Sequence, residues 1–422
     1  MTASDERAEL GELIVQVGLA MTMSGESVDG VQDRLYRIAA AKGYTDVEVI
    51  ALPTSLFVEF GSAGRATVRL GVPVGTAPRL DQVSELYQLV GELERNEIDT
   101  PEGTRRLDAL LAAPPKFGRI VRILGYAVLC GGLSLLLQPA WGGLLGALAL
   151  GVLVGVLITW QFMSHTMVLP VLASFLVAVI VFAAAKWVDE IDNPIRSLIP
   201  PLIIFLPGAV LATGTVELAA GQVISGSTRL VQGVVVLGMM AFGIVAAAEL
   251  VGAPPAHLLD QPFDRLGPWA PWVGLVVMTC GYYLHYCAPA RTLLPILFVL
   301  VVAYLGQRLG ALVFSANVSG FFGALAMTPI VLWMSTQRWG PPTMVTFLPG
   351  FWLLVPGAAG LIGATEIVGT DSALGVSDFS AAINTVFSIA LGILIATALY
   401  NSTRDGMSRV ATLSTSVRRR WH

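Results

Sequence analysis

The sequence predicts a polytopic α-helical membrane protein: about ten transmembrane helices as two inverted five-helix repeats, preceded by a soluble N-terminal α+β domain. Three observations carry this reading. Hydrophobic residues make up 55% of the chain and charged residues 13%, with a mean hydropathy of +0.73, outside soluble globular usage. Charge is segregated: residues 1–122 hold most of the acids, while apolar runs fill 123–400. Finally, one apolar stretch broken by Pro-Gly occurs twice. It reads PPLIIFLPGAVLATGTVEL from Pro200 and PGFWLLVPGAAGLIGATEI from Pro349, an offset of 149.

Taken in order, residues 8–23 and 27–42 show two helical patterns separated by Ser24-Gly25-Glu26-Ser27, a turn and N-cap cluster. In the second, Val28, Val31, Leu35 and Ile38 recur at helical spacing. Three β-branched strand candidates follow at 47–52, 55–60 and 66–72, punctuated by Pro53 and the glycines at 61 and 64. Helical patterns resume at 78–97 and about 101–112, and Pro114-Pro115 forms a hinge. The N-terminus begins acidic and its apolar run is short, so it makes a poor signal peptide. Residues 1–115 are therefore expected to form a cytosolic domain.

The spans are expected at 119–138, 142–161, 166–187, 197–218, 228–250, 269–288, 292–307, 310–336, 344–367 and 378–400, with the seventh short and the fourth and ninth interrupted. Residues 116–250 and 267–400 then form the two repeats, and 401–422 a basic tail. With the N-terminal domain inside, Lys116, Arg119, Arg122, Arg229, Arg291, Arg338, Arg404, Arg409 and Arg418 to Arg420 all fall on the cytosolic side. The other side holds Lys186, Arg196, Arg265 and Arg308 amid Asp189, Glu190, Asp192, Asp260, Asp264, Asp371 and Asp378. This asymmetry places both termini on the cytosolic side.

Without a gap, Pro207, Gly208, Gly214 and Glu217 fall on Pro356, Gly357, Gly363 and Glu366, and Gly118, Gly125 and Gly132 on Gly267, Gly274 and Gly281. Five spans is an odd number, so the second half must start from the opposite side, which makes the repeat inverted. Proline removes a backbone donor and glycine loosens the helix, so each Pro-Gly should break its span.

Glu217, Glu249 and Glu366 are the carboxylates within or at the ends of spans that the loops do not explain. A charge at the bilayer centre costs about 2.5–3.5 kcal/mol on an insertion scale, so such groups usually face a cavity. Glu217 and Glu366 occupy matching positions, whereas Glu249 falls on Ala398. Together with Thr213, Thr215 and Thr365 they form the candidate substrate and proton pathway, lined by the breaks at Pro207, Gly208, Pro356 and Gly357. The blander readings are helix-end markers for the glutamates and backbone-bonded hydroxyls for the threonines. Asn317 and Asn384 fit interhelical packing, and His165 and His285 fit satisfied interfacial histidines. Half-helix N-termini after Gly208 and Gly357 would aim partial positive charge at a substrate carboxylate.

Cys130, Cys280 and Cys287 have no metal-ligand spacing and read as apolar packing residues. No Walker loop, HExxH or GxSxG is present, so neither metal nor cofactor is expected. Basic patches interleaved with aromatics are also missing, which argues against nucleic acid. A serine–histidine pair inside the N-terminal domain is excluded, because His165 is the first histidine.

The chain resembles the threonine/serine exporter family. The resemblance rests on Ser24-Gly25-Glu26 leading into VDGVQDRLYRIAAAKG, then DVEVIALPTSLFVEF, then the ten-span region with its Pro-Gly segments, and it covers essentially the whole chain. It departs from the family pattern at Thr54-Ser55, where a threonine-glycine is expected. The resemblance implies a cytosolic N-terminal domain, ten spans and export of L-threonine and L-serine driven by the proton motive force. The resulting expectation is a secondary exporter and not an enzyme, working by alternating access on a small amino acid and protons. The alternatives are a membrane-embedded enzyme using the glutamates as acid and base, and a ligand-sensing scaffold. A homodimer is compatible with the small residues Gly142, Gly143 and Gly146, which serve equally well within one protomer.

Overall fold

The structure, a computed structural model, describes residues 3–418 apart from 61–66, 74, 76, 138–139, 161–167, 188–192, 260–265, 315, 338, 355 and 371–372. Of the residues singled out above, His165, Asp189, Glu190, Asp192, Asp260, Asp264, Arg265, Arg338, Asp371, Arg419 and Arg420 lie outside the described residues.

The chain begins with α1 (Ala3–Met23) and α2 (Val28–Ala41), followed by β1 (Val47–Leu52), β2 (Ser55–Phe60) and β3 (Thr67–Gly71), then α3 (Leu80–Glu94) and α4 (Thr100–Ala112). Ser27 caps α2, its hydroxyl accepting from the Gly30 amide at 3.2 Å. The strands form an antiparallel sheet in the order β1-β2-β3, with Leu52 opposite Ser55 across the tight Pro53-Thr54 turn. One face, with Val47, Val49, Leu56 and Val58, shares an apolar core with Leu13, Val31, Leu35, Leu86 and Leu107 of the helices. The opposite face leaves Ile50, Val68 and Leu70 exposed.

Beyond Pro114-Pro115 the described residues are helical. The helices are α5 (Arg119–Leu137), α6 (Trp141–Thr159), α7 (Val168–Ala184), the single turns α8 (Pro194–Ser197) and α9 (Ile199–Leu202), α10 (Gly208–Ala219) and α11 (Val223–Val251). Then come α12 (Ala270–Tyr286), α13 (Leu293–Val313), α14 (Ala316–Ser335), α15 (Thr343–Leu354), α16 (Pro356–Thr370) and α17 (Ala373–Arg418). Among the described residues six helices are long and apolar enough to cross a membrane, and up to eight spans result if each of two bent pairs counts as one. Of the ten expected spans, those at 166–187 and 269–288 fold as helices of 17 residues, the lower limit for crossing.

Three expected boundaries are revised. The seventh span is not short, because α13 runs on to Val313. Arg308, read as a loop residue, lies with its guanidinium over the Tyr304 ring at 6.0 Å, so the charge does not end the helix. The fifth span starts earlier, at Val223, which places Arg229 inside α11 and buries it. Finally, α17 continues through the expected tail to Arg418.

Helices α5 and α12 pack closely along each other. A methyl built at Gly132 would lie 2.3 Å from the Met278 amide nitrogen, and one at Gly281 2.2 Å from that of Leu129. Only glycine permits this approach. Gly125 faces Gly281 and Gly132 faces Gly274, and the 149-residue offset maps the first contact onto the second. Likewise α10 packs on α17 as α16 packs on α11. The correspondence is not complete, since α13 lies along α14 whereas α6 and α7 barely touch.

Gly281→Ala should therefore lower the melting temperature in detergent, at an overpacking cost of about 1–3 kcal/mol. Gly146→Ala should leave it unchanged, because nothing lies within 4 Å of a methyl there. Equal melting of the two variants would show that the close crossing is not formed.

Candidate functional site: two broken helices and a buried ion pair

Both Pro-Gly segments break their helices. The segment Pro194–Phe205 bends by 62° into Gly208–Ala219, and Thr343–Leu354 by 42° into Gly357–Gly369. Leu206 is extended, and Pro207 stands at the head of α10 with its carbonyl accepting from the Leu211 amide at 2.8 Å. The two breaks touch: a methyl at Gly357 would lie 3.0 Å from the Gly208 amide nitrogen. Position 208 maps onto 357 under the offset, so this contact maps onto itself.

A helix broken inside hydrocarbon leaves carbonyls that need donors. Two buried tyrosines on the α5–α12 pair supply some of them. The Tyr126 hydroxyl donates to the Pro201 carbonyl at 2.9 Å and that of Tyr282 to the Val345 carbonyl at 3.2 Å, one on each broken segment. Their rings join a cluster with His285, Tyr286 and Trp352. His285 is the satisfied histidine expected, its Nδ1 lying 3.0 Å from the Arg122 carbonyl. Cys130 and Cys287 are buried and Cys280 is exposed, all as free thiols.

Glu217 and Glu366 are both 1% exposed. Their surroundings differ. The Glu217 carboxylate takes a hydrogen bond from Arg229 Nε at 2.9 Å and another from the Val28 amide at 3.2 Å. Close approach of α10 and α11 permits the pair, a methyl at Gly226 falling 2.6 Å from the Gly214 carbonyl. Arg229 Nη2 also donates to the Glu26 carbonyl at 3.3 Å. Glu366 lies on α16, where the start of α17 backs onto it: a methyl at Gly375 would stand 2.9 Å from the Glu366 carbonyl carbon. Gly226 and Gly375 correspond under the offset, but Arg229 falls on Asp378. The arginine of the first half is thus not duplicated in the second.

The other expected residues are less central. Thr215 and Thr365 are buried and donate to their own backbone, to the Leu211 carbonyl at 2.9 Å and the Leu361 carbonyl at 2.7 Å. Thr213 is half-buried beside them, and Glu249 is exposed near the end of α11, away from the breaks. Asn384 is exposed on α17. Among the described residues no cluster of three or more His, Cys, Asp or Glu side chains could hold a metal ion.

Two participants escaped the sequence reading. Charge asymmetry groups Arg229 with the cytosolic-side charges at the edge of the fifth span, although its place 12 residues after Glu217, nearly two turns into α11, is a signal for a buried pair. The 24–28 turn was read only as a cap. Its Glu26 carboxylate accepts from the Tyr87 hydroxyl, and Asp29 accepts from Gln222 at 2.6 Å. Burial and the neighbouring Glu26 carboxylate push the Tyr87 phenol well above its ordinary range, which keeps it a donor.

These features define a polytopic helical membrane protein built around two broken helices that cross at their breaks. Residues 12–251 match the family model ThrE, threonine/serine exporter, and the chain belongs to that family. The match ends at the last residue of α11, where the first half closes. The chain is also 21% identical over 420 residues to a threonine/serine exporter of Corynebacterium glutamicum, covering 94% of this chain and 83% of that protein. No solved structure matches.

Removing one member of a buried pair leaves the other charge uncompensated, at about 3–5 kcal/mol. Glu217→Ala and Arg229→Ala should each lower thermal stability in detergent. Glu217→Leu combined with Arg229→Met should recover most of the loss. Additive losses in the double variant would mean that the two side chains do not interact.

Proposed function

We propose that the protein is a secondary exporter of small hydroxy amino acids, L-threonine and L-serine, in exchange for protons, residing in a bacterial inner membrane with both termini cytosolic. In this reading ten spans form two inverted halves that rock about the crossing of the broken helices. The observation that carries it is the contact of Gly208 with Gly357, flanked by glycine contacts on α5 and α12 that the same offset relates. Broken helices at corresponding positions of two halves are where secondary transporters bind substrate. Membership of the exporter family and the name of the Corynebacterium relative support the substrate class.

The half-helix N-termini at Gly208 and Gly357 would receive the substrate carboxylate, and a glutamate its ammonium. Glu366, buried at the position matching Glu217, loads a proton from outside. Glu217 releases it inside. Its ion pair with Arg229 must open for Glu217 to take part.

Purified protein in liposomes should accumulate labelled threonine under an imposed pH gradient. Glu217→Gln and Glu366→Gln should each abolish gradient-driven flux in protein that still folds, as checked by a monodisperse gel-filtration profile and a melting transition above the assay temperature. Glu217→Gln should melt below wild type because Arg229 loses its counter-charge. Normal transport by both variants would refute the carboxylate mechanism. No wild-type flux across a panel of small amino acids would remove the exporter reading itself.

A further inference from the structure

The contacts of the 24–28 turn converge on one place. Glu217 near the end of α10 and Met344 at the start of α15 belong to different broken spans, and the turn bridges them. On one side Val28 and Glu26 hold the Glu217–Arg229 pair, and Asp29 holds Gln222 just past α10. On the other, Gly25, at a φ of 89°, passes so close to Met344 that a methyl would lie 2.9 Å from its Cε. Behind the turn, Tyr87 on α3 donates to Glu26, while Leu80 and Val83 of α3 are built into the core of the membrane helices. The same helix packs against α15.

We propose that the 24–28 turn is the gate of the carrier on the side of the N-terminal segment, closed by the Glu217–Arg229 pair and opened when that pair and its backbone partners separate. The inference rests on the exporter reading above and adds a place and a moving part to it. Three features argue for a gate over a fixed brace. First, the contacts on the Glu217 side are polar and directional, so they break as a set and can be re-made by water when the mouth opens, while only a van der Waals contact at Met344 holds the other side. Second, one side chain joins both partners: the Val28 amide at the head of α2 and the Arg229 guanidinium both donate to the Glu217 carboxylate. Moving that side chain away would remove the acceptor for both at once. Third, the arrangement is one-sided. In the second half Asp378 takes the place of Arg229, and a 3-10 turn, Pro255–Leu258, lies against α16. A gate built on the turn therefore controls only one mouth, as alternating access requires of each gate separately.

The test locks the turn. Asp29→Cys with Gln222→Cys joins positions whose side chains are hydrogen-bonded at 2.6 Å, in a background carrying Cys280→Ser to remove the exposed thiol. In proteoliposomes under a pH gradient, oxidation should reduce threonine flux at least ten-fold, and reduction should restore it, while Cys280→Ser alone responds to neither. Complete crosslinking with undiminished flux would overturn the gate.

Hydrogen exchange on the wild-type protein provides a readout independent of flux. Added threonine at an imposed low pH should speed exchange at the 24–30 amides several-fold, and unchanged protection there would also overturn the proposal. Failure of the exporter reading is recognised separately, because it removes flux from the uncrosslinked wild type as well.

Discussion

A backbone interrupted inside hydrocarbon must find its hydrogen-bond partners within the protein, and the arrangement of the membrane helices follows from that constraint. Both Pro-Gly breaks lie in the middle of apolar segments. They are tolerated because each break is packed against the other at Gly208 and Gly357. The α5–α12 pair encloses them and directs Tyr126 and Tyr282 at the carbonyls of Pro201 and Val345. That enclosure in turn depends on Gly132 and Gly281, since a side chain at either position would hold the two helices apart and withdraw the tyrosines. The glycines of the crossing and the prolines of the breaks are thus parts of one solution.

The buried pair obeys a related rule. Glu217 and Arg229 are expensive to bury singly and tolerable together, and the geometry that joins them also binds the head of α2. One carboxylate thereby ties a membrane helix to the N-terminal segment. The second half has the matching Glu366 and the matching close approach at Gly375, but an aspartate where the first half has the arginine. Two positions equivalent by offset are thus followed, 12 residues on, by residues of opposite charge. Family membership through residues 12–251 includes every member of the Glu217 network and stops before its counterpart.

Much of this was legible from the chain. Strand and helix limits in the first 112 residues followed from alternation, from the cap at Ser27 and from Pro53, because those signals are local. The breaks were legible from Pro-Gly, whose effect on a helix does not depend on its neighbours. The reading failed where a charge was taken as a boundary. On hydropathy Arg308 falls in a loop and Arg229 at the cytosolic edge of a span, yet Arg229 is neutralised by a glutamate 12 residues earlier and Arg308 reaches back over Tyr304. Neither partner is visible to a window that averages apolarity.

The sequence alone determined the class of the protein, the repetition of the Pro-Gly segment and the identity of the two glutamates, since composition, offset and residue type are properties of the chain. Which groups meet was decided by the tertiary structure. That Gly208 reaches Gly357, that Gly132 admits α12, and that a turn near the N-terminus closes on Glu217 are contacts between residues 142 to 189 positions apart. No local signal specifies such distances, because they are set by how two halves pack and not by the preference of either.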